Sequence, residues 1–156
     1  MKTLIICYSY YKNHTEKIAR VFKDRIGCNL IKLDGKNDLD IDIEDYDLIG
    51  FGSGIYAESI SPKIFLLIDK LNLKGKNVFV FSTSGIGKKF YNKSLIKVLK
   101  SKGAIVRGSF ACMGSFVTKD FSNFKLFDLF AFFARNHPNK KDFKDAEKFI
   151  DRVIDF

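Results

Sequence analysis

Short apolar runs alternate with amphipathic stretches along nearly the whole chain. Residues 3–8 form a continuous apolar run, the pattern of a strand buried on both faces. Residues 15–26 follow with Ile18, Ala19, Phe22 and Ile26 at helical spacing, and Gly27 is placed to stop that helix. Residues 29–33 read as a shorter second strand. An acidic connection through Asp38, Asp40, Asp42, Glu44 and Asp45 then leads to a third strand at 48–53. Pro62 opens a helix over 62–71 with Phe65, Ile68 and Leu71 on one side. Residues 77–81, with Val-Phe-Val-Phe at their heart, predict a fourth strand, and 104–112 a fifth. Between them lies a helix over 92–102 built on Leu95, Val98 and Leu99, which Gly103 ends. A last helix, 141–155, turns Phe143, Ala146, Phe149, Ile150 and Val153 inward.

Strand and helix in repeated succession predict a doubly wound α/β sheet with right-handed crossovers and helices on both faces. The chain reads as a single domain over residues 1–156, without internal repeats. One stretch departs from the alternation: a Phe-rich insertion over about residues 113–140, with Phe121, Phe124, Phe127, Phe130, Phe132 and Phe133. Its spacing predicts a short apolar helix at 124–135. Extra core over the sheet, a cap beside a cofactor, a dimer contact and a membrane-touching patch all fit that pattern.

With 156 residues and 46% apolar content, one buried core is within reach. No run approaches the roughly 20 apolar residues that span a bilayer. The apolar N-terminal run ends at Tyr8-Ser9-Tyr10, too early for a signal peptide. These features lead to the expectation of a cytoplasmic protein. Cys7, Cys28 and Cys112 are isolated on apolar segments, which argues for buried thiols against a disulfide framework or a metal site. Net charge is +9 and uneven: residues 1–78 carry 12 Lys+Arg against 11 Asp+Glu, residues 79–156 carry 15 against 7. The basic half suits an acidic protein partner or an anionic surface, or is simply a solvated lysine-rich face. No nucleic-acid-binding motif is present, and none is expected as a partner.

In an open parallel sheet, ligands bind beyond the carboxyl ends of the strands. Three of the segments there are rich in Ser, Thr, Asn and Gly. The first, Ser9-Tyr10-Tyr11-Lys12-Asn13-His14-Thr15, runs into a helix, whose N-terminal N–H groups and dipole favour a phosphate. Simple capping by Asn13 or Thr15 is the plainer reading. A dinucleotide turn is excluded because this segment has no glycine, and Gly87-Lys88 lacks the rest of a P-loop. Receiver-type chemistry fails too, since Tyr8-Ser9 and Gly52-Ser53 supply no carboxylate. No catalytic triad is evident, and His137 has no obvious carboxylate beside it in sequence.

Ser9-x-x-x-Asn13-His14-Thr15-Glu16-Lys17-Ile18-Ala19 resembles the phosphate loop of the flavodoxin family. Gly52-Ser53-Gly54-Ile55-Tyr56 resembles its second loop and Ser82-Thr83-Ser84-Gly85 its third; Cys112-Met113-Gly114 and Arg135-Asn136-His137-Pro138 match one variety of it. The resemblance implies a flavodoxin-like three-layer sandwich, a five-stranded parallel sheet in the order 2-1-3-4-5, with FMN at the strand ends. Ser9, Asn13 and Thr15, with backbone from Tyr10, Tyr11, Lys12 and His14, would meet the phosphate. Ser53, Gly54 and Ile55 would present Tyr56 to one flavin face. Thr83, Ser84, Gly85, Ile86 and Gly87 would meet the pyrimidine edge, and Tyr91 or Phe90 the other face. The resemblance further implies a one-electron carrier serving a redox protein partner. An FMN-dependent reductase of quinones or another small acceptor, using NAD(P)H, stays open, as do a flavin-free binding module and a homodimer. Lys12, His14 and the basic surface depart from the family's small, neutral phosphate loop and acidic exterior.

Overall fold

The computed structural model describes residues 1–34, 41–116 and 125–156. Asp38, Asp40, Phe121 and Phe124 lie outside them. The strands are β1 (Thr3–Tyr8), β2 (Asn29–Leu33), β3 (Leu48–Tyr56), β4 (Ser59–Ile60), β5 (Asn77–Ser84) and β6 (Ile105–Met113). The helices are α1 (His14–Ile26), α2 (Pro62–Lys70), α3 (Lys93–Ser101), α4 (Lys125–Ala134) and α5 (Lys140–Ile154). The parallel sheet runs β2-β1-β3-β5-β6, which is the expected five-strand order, and the two-residue β4 pairs antiparallel with the end of β3.

Apolar residues alternate between two buried faces, which is why β1 reads as one unbroken apolar run. Leu4 and Ile6 pack under Ile64, Leu67 and Ile68 of α2 and Leu95 and Leu99 of α3. Ile5 and Cys7 face Ile18, Ala19 and Phe22 of α1 and Ala146, Phe149 and Ile150 of α5. Phe22 lies at the centre of this second layer, its ring centroid 5.1–6.0 Å from those of Phe79, Phe81, Phe110 and Phe149. The stacked Phe79 and Phe81 rings need room on the neighbouring strand. Gly50 and Gly52 of β3 supply it, because a Cβ there would come within 2.3 and 2.1 Å of them.

Helix ends follow local chemistry. Gly27, at φ 64°, closes α1 by donating its N–H to the Lys23 carbonyl. Ser61 caps α2 ahead of Pro62, and Asn139 forms a reciprocal capping box with Asp142 on α5.

Several boundaries differ from expectation. On α2 the buried stripe is Ile64, Leu67 and Ile68, with Phe65 only partly covered. Gly52-Ser53-Gly54 does not end the third strand: β3 continues to Tyr56 and turns back through Ala57 and Glu58, at φ 46° and 61°, into β4. Two successive left-handed residues are what a two-residue hairpin of matching twist requires. Ser82 to Ser84 likewise remain in the sheet, with Thr83 opposite Cys112 and Ser84 opposite Met113. A 3-10 turn, Lys89–Asn92, precedes α3.

Candidate functional site

The carboxyl ends of β1, β3, β5 and β6 surround a cavity of about 420 Å³. Of the predicted site residues, Tyr11, His14, Thr15, Gly54, Ile55, Tyr56, Thr83, Ser84, Gly85, Ile86 and Tyr91 line it. Ser9, Tyr10, Lys12, Asn13, Ser53 and Gly87 are not in its lining. Sequence reasoning passed over Ala57, Glu58, Ser115 and Phe116, which are; Gly114 and Phe130, which the sequence reading named only within a motif and within the Phe-rich stretch, line it too.

The segment between β1 and α1 makes its turn through Lys12 and Asn13, both left-handed at φ 51° and 54°. Asn13 does not cap the helix with its side chain; its Oδ1 accepts from Lys32 Nζ at 2.8 Å. The same ammonium pairs with Glu16, which also holds Arg20. Lys32 on β2, absent from the sequence reading, therefore ties the end of the turn and the first turn of α1 to the sheet. Its hydrogen bond is the chief reason the Glu16 carboxyl titrates below the ordinary carboxylate range. Ser9 Oγ accepts the Glu16 N–H at 3.2 Å, which leaves its own proton for another acceptor.

Thr15 and Thr83 meet hydroxyl to hydroxyl at 2.8 Å, joining α1 to the end of β5 on the cavity floor. His14, the first residue of α1, is buried. Its Nε2 lies 3.0 Å from both the carbonyl and the hydroxyl of Ser115, and its ring packs over Gly114, where a Cβ would come within 2.9 Å. A carbonyl only accepts, so Nε2 carries the proton. Nδ1 is then a buried acceptor with no hydrogen-bond partner among the described residues. Burial lowers the His14 pKa, Lys17 and Lys12 add to the effect, and the Ser115 carbonyl opposes it.

Tyr56, half-buried on the β3–β4 hairpin, sends its hydroxyl back over Gly54 to accept the Tyr10 N–H at 2.8 Å. Its ring meets Tyr8 edge-on, and burial raises its pKa. Ser53 is committed to the hairpin: its hydroxyl donates to the Gly54 carbonyl and accepts from the Ser61 N–H. Ser84 Oγ accepts the N–H of Gly87, which sits at φ 61° against Met113. Tyr91 leans on Phe90 at 4.1 Å between centroids, and Phe116 packs over Gly85. Phe130 reaches the cavity from α4. The site thus has a hydroxyl-rich floor at the start of α1 and aromatic walls from five separate segments. Among the described residues, Glu58 is the only carboxylate in its lining.

Outside the cavity one expectation changes. His137 does have a carboxylate neighbour: Nδ1 pairs with Asp142, which the turn into α5 brings back past Pro138. Asp142 also accepts the Asn139 N–H, so the pair belongs to the start of α5. The three cysteines are buried free thiols, and burial pushes Cys7 up to about 12 and Cys28 to about 11.

A parallel sheet in this order, with a cavity at the carboxyl ends of its middle strands, defines a flavodoxin-like protein. Residues 5–125 match the Flavodoxin domain family, and the chain belongs to it. It is 39% identical over 156 residues to an uncharacterized protein of Methanocaldococcus jannaschii, covering 99% of each. A flavodoxin from the domain Archaea matches with a TM-score of 0.68 at 14% identity, over 97% of this chain and 96% of that one. Oxidised flavodoxin 1 of Bacillus cereus gives 0.61 at 19% identity, over 98% and 97%. A Lactobacillus acidophilus flavoprotein solved in complex with FMN gives 0.57 at 25% identity, over 69% of this chain and 91% of its own.

Proposed function

We propose that the protein binds FMN in this cavity and serves as an electron carrier. The observation that carries the reading is the pairing of a polar floor at the N-terminus of α1 with flat aromatic walls. A phosphate and a planar ring system need those two surfaces side by side. Family membership and the FMN complex of the Lactobacillus relative support it. The cavity volume also falls within the range usual for cofactor sites, roughly 300–1,000 Å³.

The Ser9 hydroxyl and the amides from Lys12 to Thr15 would hold the phosphate. Tyr10's amide would join them only if Tyr56 gives it up. Thr83, Ser84 and Gly85 would meet the polar edge of the ring, and Tyr56 and Tyr91 its faces. FMN, when bound, supplies the one-electron chemistry; the chain supplies orientation, exclusion of water and electrostatic setting. Exposed Lys88 and Lys89, between cavity-lining Ile86 and Tyr91, would favour a redox partner with an acidic face.

Phe116 and Phe130 favour a second reading. Apolar walls beyond those that a flavin requires would suit a reductase acting on a small apolar acceptor, with NAD(P)H as the reductant. Steady NAD(P)H oxidation by the FMN-loaded protein, dependent on such an acceptor, would separate it from the carrier. The deciding measurement for both is titration of the purified protein with FMN, read by absorbance and flavin fluorescence. Saturable one-to-one uptake with quenched fluorescence is expected. Absence of uptake overturns flavin binding and leaves the fold intact.

A further inference from the structure

The helix α4 carries an apolar face that the rest of the described chain does not cover. Its sequence, Lys-Leu-Phe-Asp-Leu-Phe-Ala-Phe-Phe-Ala, contains a single acid and a single base. Ala134 is fully buried, and Phe130, one turn earlier and 37% exposed, borders the cavity. Leu129, Phe132 and Phe133 fall at the spacing of another face and are 52%, 68% and 59% exposed. Three large apolar side chains side by side in water are not a stable end point.

We propose that this face of α4 lies in the interfacial layer of a membrane that contains anionic lipid. Charge decides between the occupants of an apolar face. Exposed Arg135, Lys140, Lys141 and Lys144 follow within a few residues of the helix end, against the exposed carboxylates of Asp128 and Asp145. The chain as a whole carries +9. A second copy docked on this face would bring two chains of +9 together, whereas an anionic bilayer neutralises the charge. Phe and Leu side chains are the kind that enter the boundary between headgroups and acyl chains. The ten-residue helix is about 15 Å long and would lie on the surface. No described helix is long and apolar enough to cross a membrane. The attachment does not rest on flavin binding. It would hold the cavity, which Phe130 borders, beside the bilayer surface.

Co-sedimentation of the full chain with vesicles tests the proposal, using phosphatidylcholine alone and phosphatidylcholine mixed with phosphatidylglycerol. Binding to the anionic vesicles is expected, weaker at high salt and weak or absent on phosphatidylcholine. Phe132→Ser with Phe133→Ser should lower vesicle affinity about tenfold or more, and Lys140→Gln with Lys141→Gln should reduce its salt dependence. All four side chains are exposed, so an unchanged far-UV circular dichroism spectrum is the control for folding. No binding to anionic vesicles overturns the proposal, as does binding indifferent to the two Phe substitutions. A dimer in sedimentation equilibrium that Phe132→Ser with Phe133→Ser dissociates would assign the face to a second copy, and also overturns it.

Discussion

At His14, burial and hydrogen bonding pull the proton in opposite directions, and burial is the larger effect. Unfolded, a histidine titrates at pH ~6.5. Folded, its pKa is lower, so below pH ~6.5 the unfolded chain takes up a proton that the folded one resists. The stability is complete above that pH and is lost progressively as pH falls through the folded value. Urea midpoints should therefore drop as pH falls below about 6.5 in the wild type and drop less in His14→Gln. Parallel curves would show that His14 is not held neutral. The other decisive residue is Phe22, which contacts four rings at once. Phe22→Ala should cost about 3–5 kcal/mol in equilibrium unfolding, since neither Phe79 nor Phe81 can collapse into the void without leaving its glycine slot. The apolar spacing on α1 identified Phe22 as inward-facing. What it meets there depends on side chains from β5, β6 and α5.

Among the elements, the turn from β1 into α1 is held from outside itself. Lys12 and Asn13 both lie in the left-handed region, which costs an ordinary side chain such as that of Lys12 about 1–2 kcal/mol and an asparagine less. Lys32 holds that geometry by gripping Asn13 and Glu16 from the neighbouring strand. Lys32→Met keeps the packing of the stem and removes the grip. The expected result is a stability loss of about 1 kcal/mol and faster amide hydrogen exchange confined to Lys12–Glu16. Unchanged exchange there would mean that the turn holds itself. No pattern in the sequence signals this role, because Lys32 reaches the turn only through the parallel pairing that sets it opposite Cys7. The β3–β4 hairpin shows the same limit. Gly52-Ser53-Gly54 looks like a loop in one dimension, whereas its glycines serve the Phe81 ring and the Tyr56 hydroxyl across the sheet.

For the molecule as a whole, charge is the feature that departs most from the family's expected acidic exterior. Cations near a flavin favour its anionic reduced form and so raise the potential of that step. With FMN bound, Lys88→Gln together with Lys89→Gln should lower the potential in a redox titration. A potential that does not move would place both ammonium groups out of electrostatic reach of the site. These lysines are exposed, so the effect should shrink as ionic strength rises.

The sequence by itself determined the succession of strands and helices, the two-sided burial of β1, the five-strand order implied by resemblance, and the region of the site. The strand order rests on the resemblance; the others follow from periodicity, from capping residues or from the placement of Ser, Thr and Gly at strand ends, all local properties of the chain. Tertiary structure alone decided which of those residues face the cavity. It turned Ser53 into the hairpin and Asn13 toward Lys32, brought Tyr56 onto the Tyr10 amide, and added Ser115, Phe116 and Phe130 from the far end of the chain. The physical reason is that a side chain's partner in a parallel sheet comes from a strand one whole crossover away. Hydrogen bonds and ring contacts at the strand ends are therefore set by register and helix docking, which local sequence does not encode.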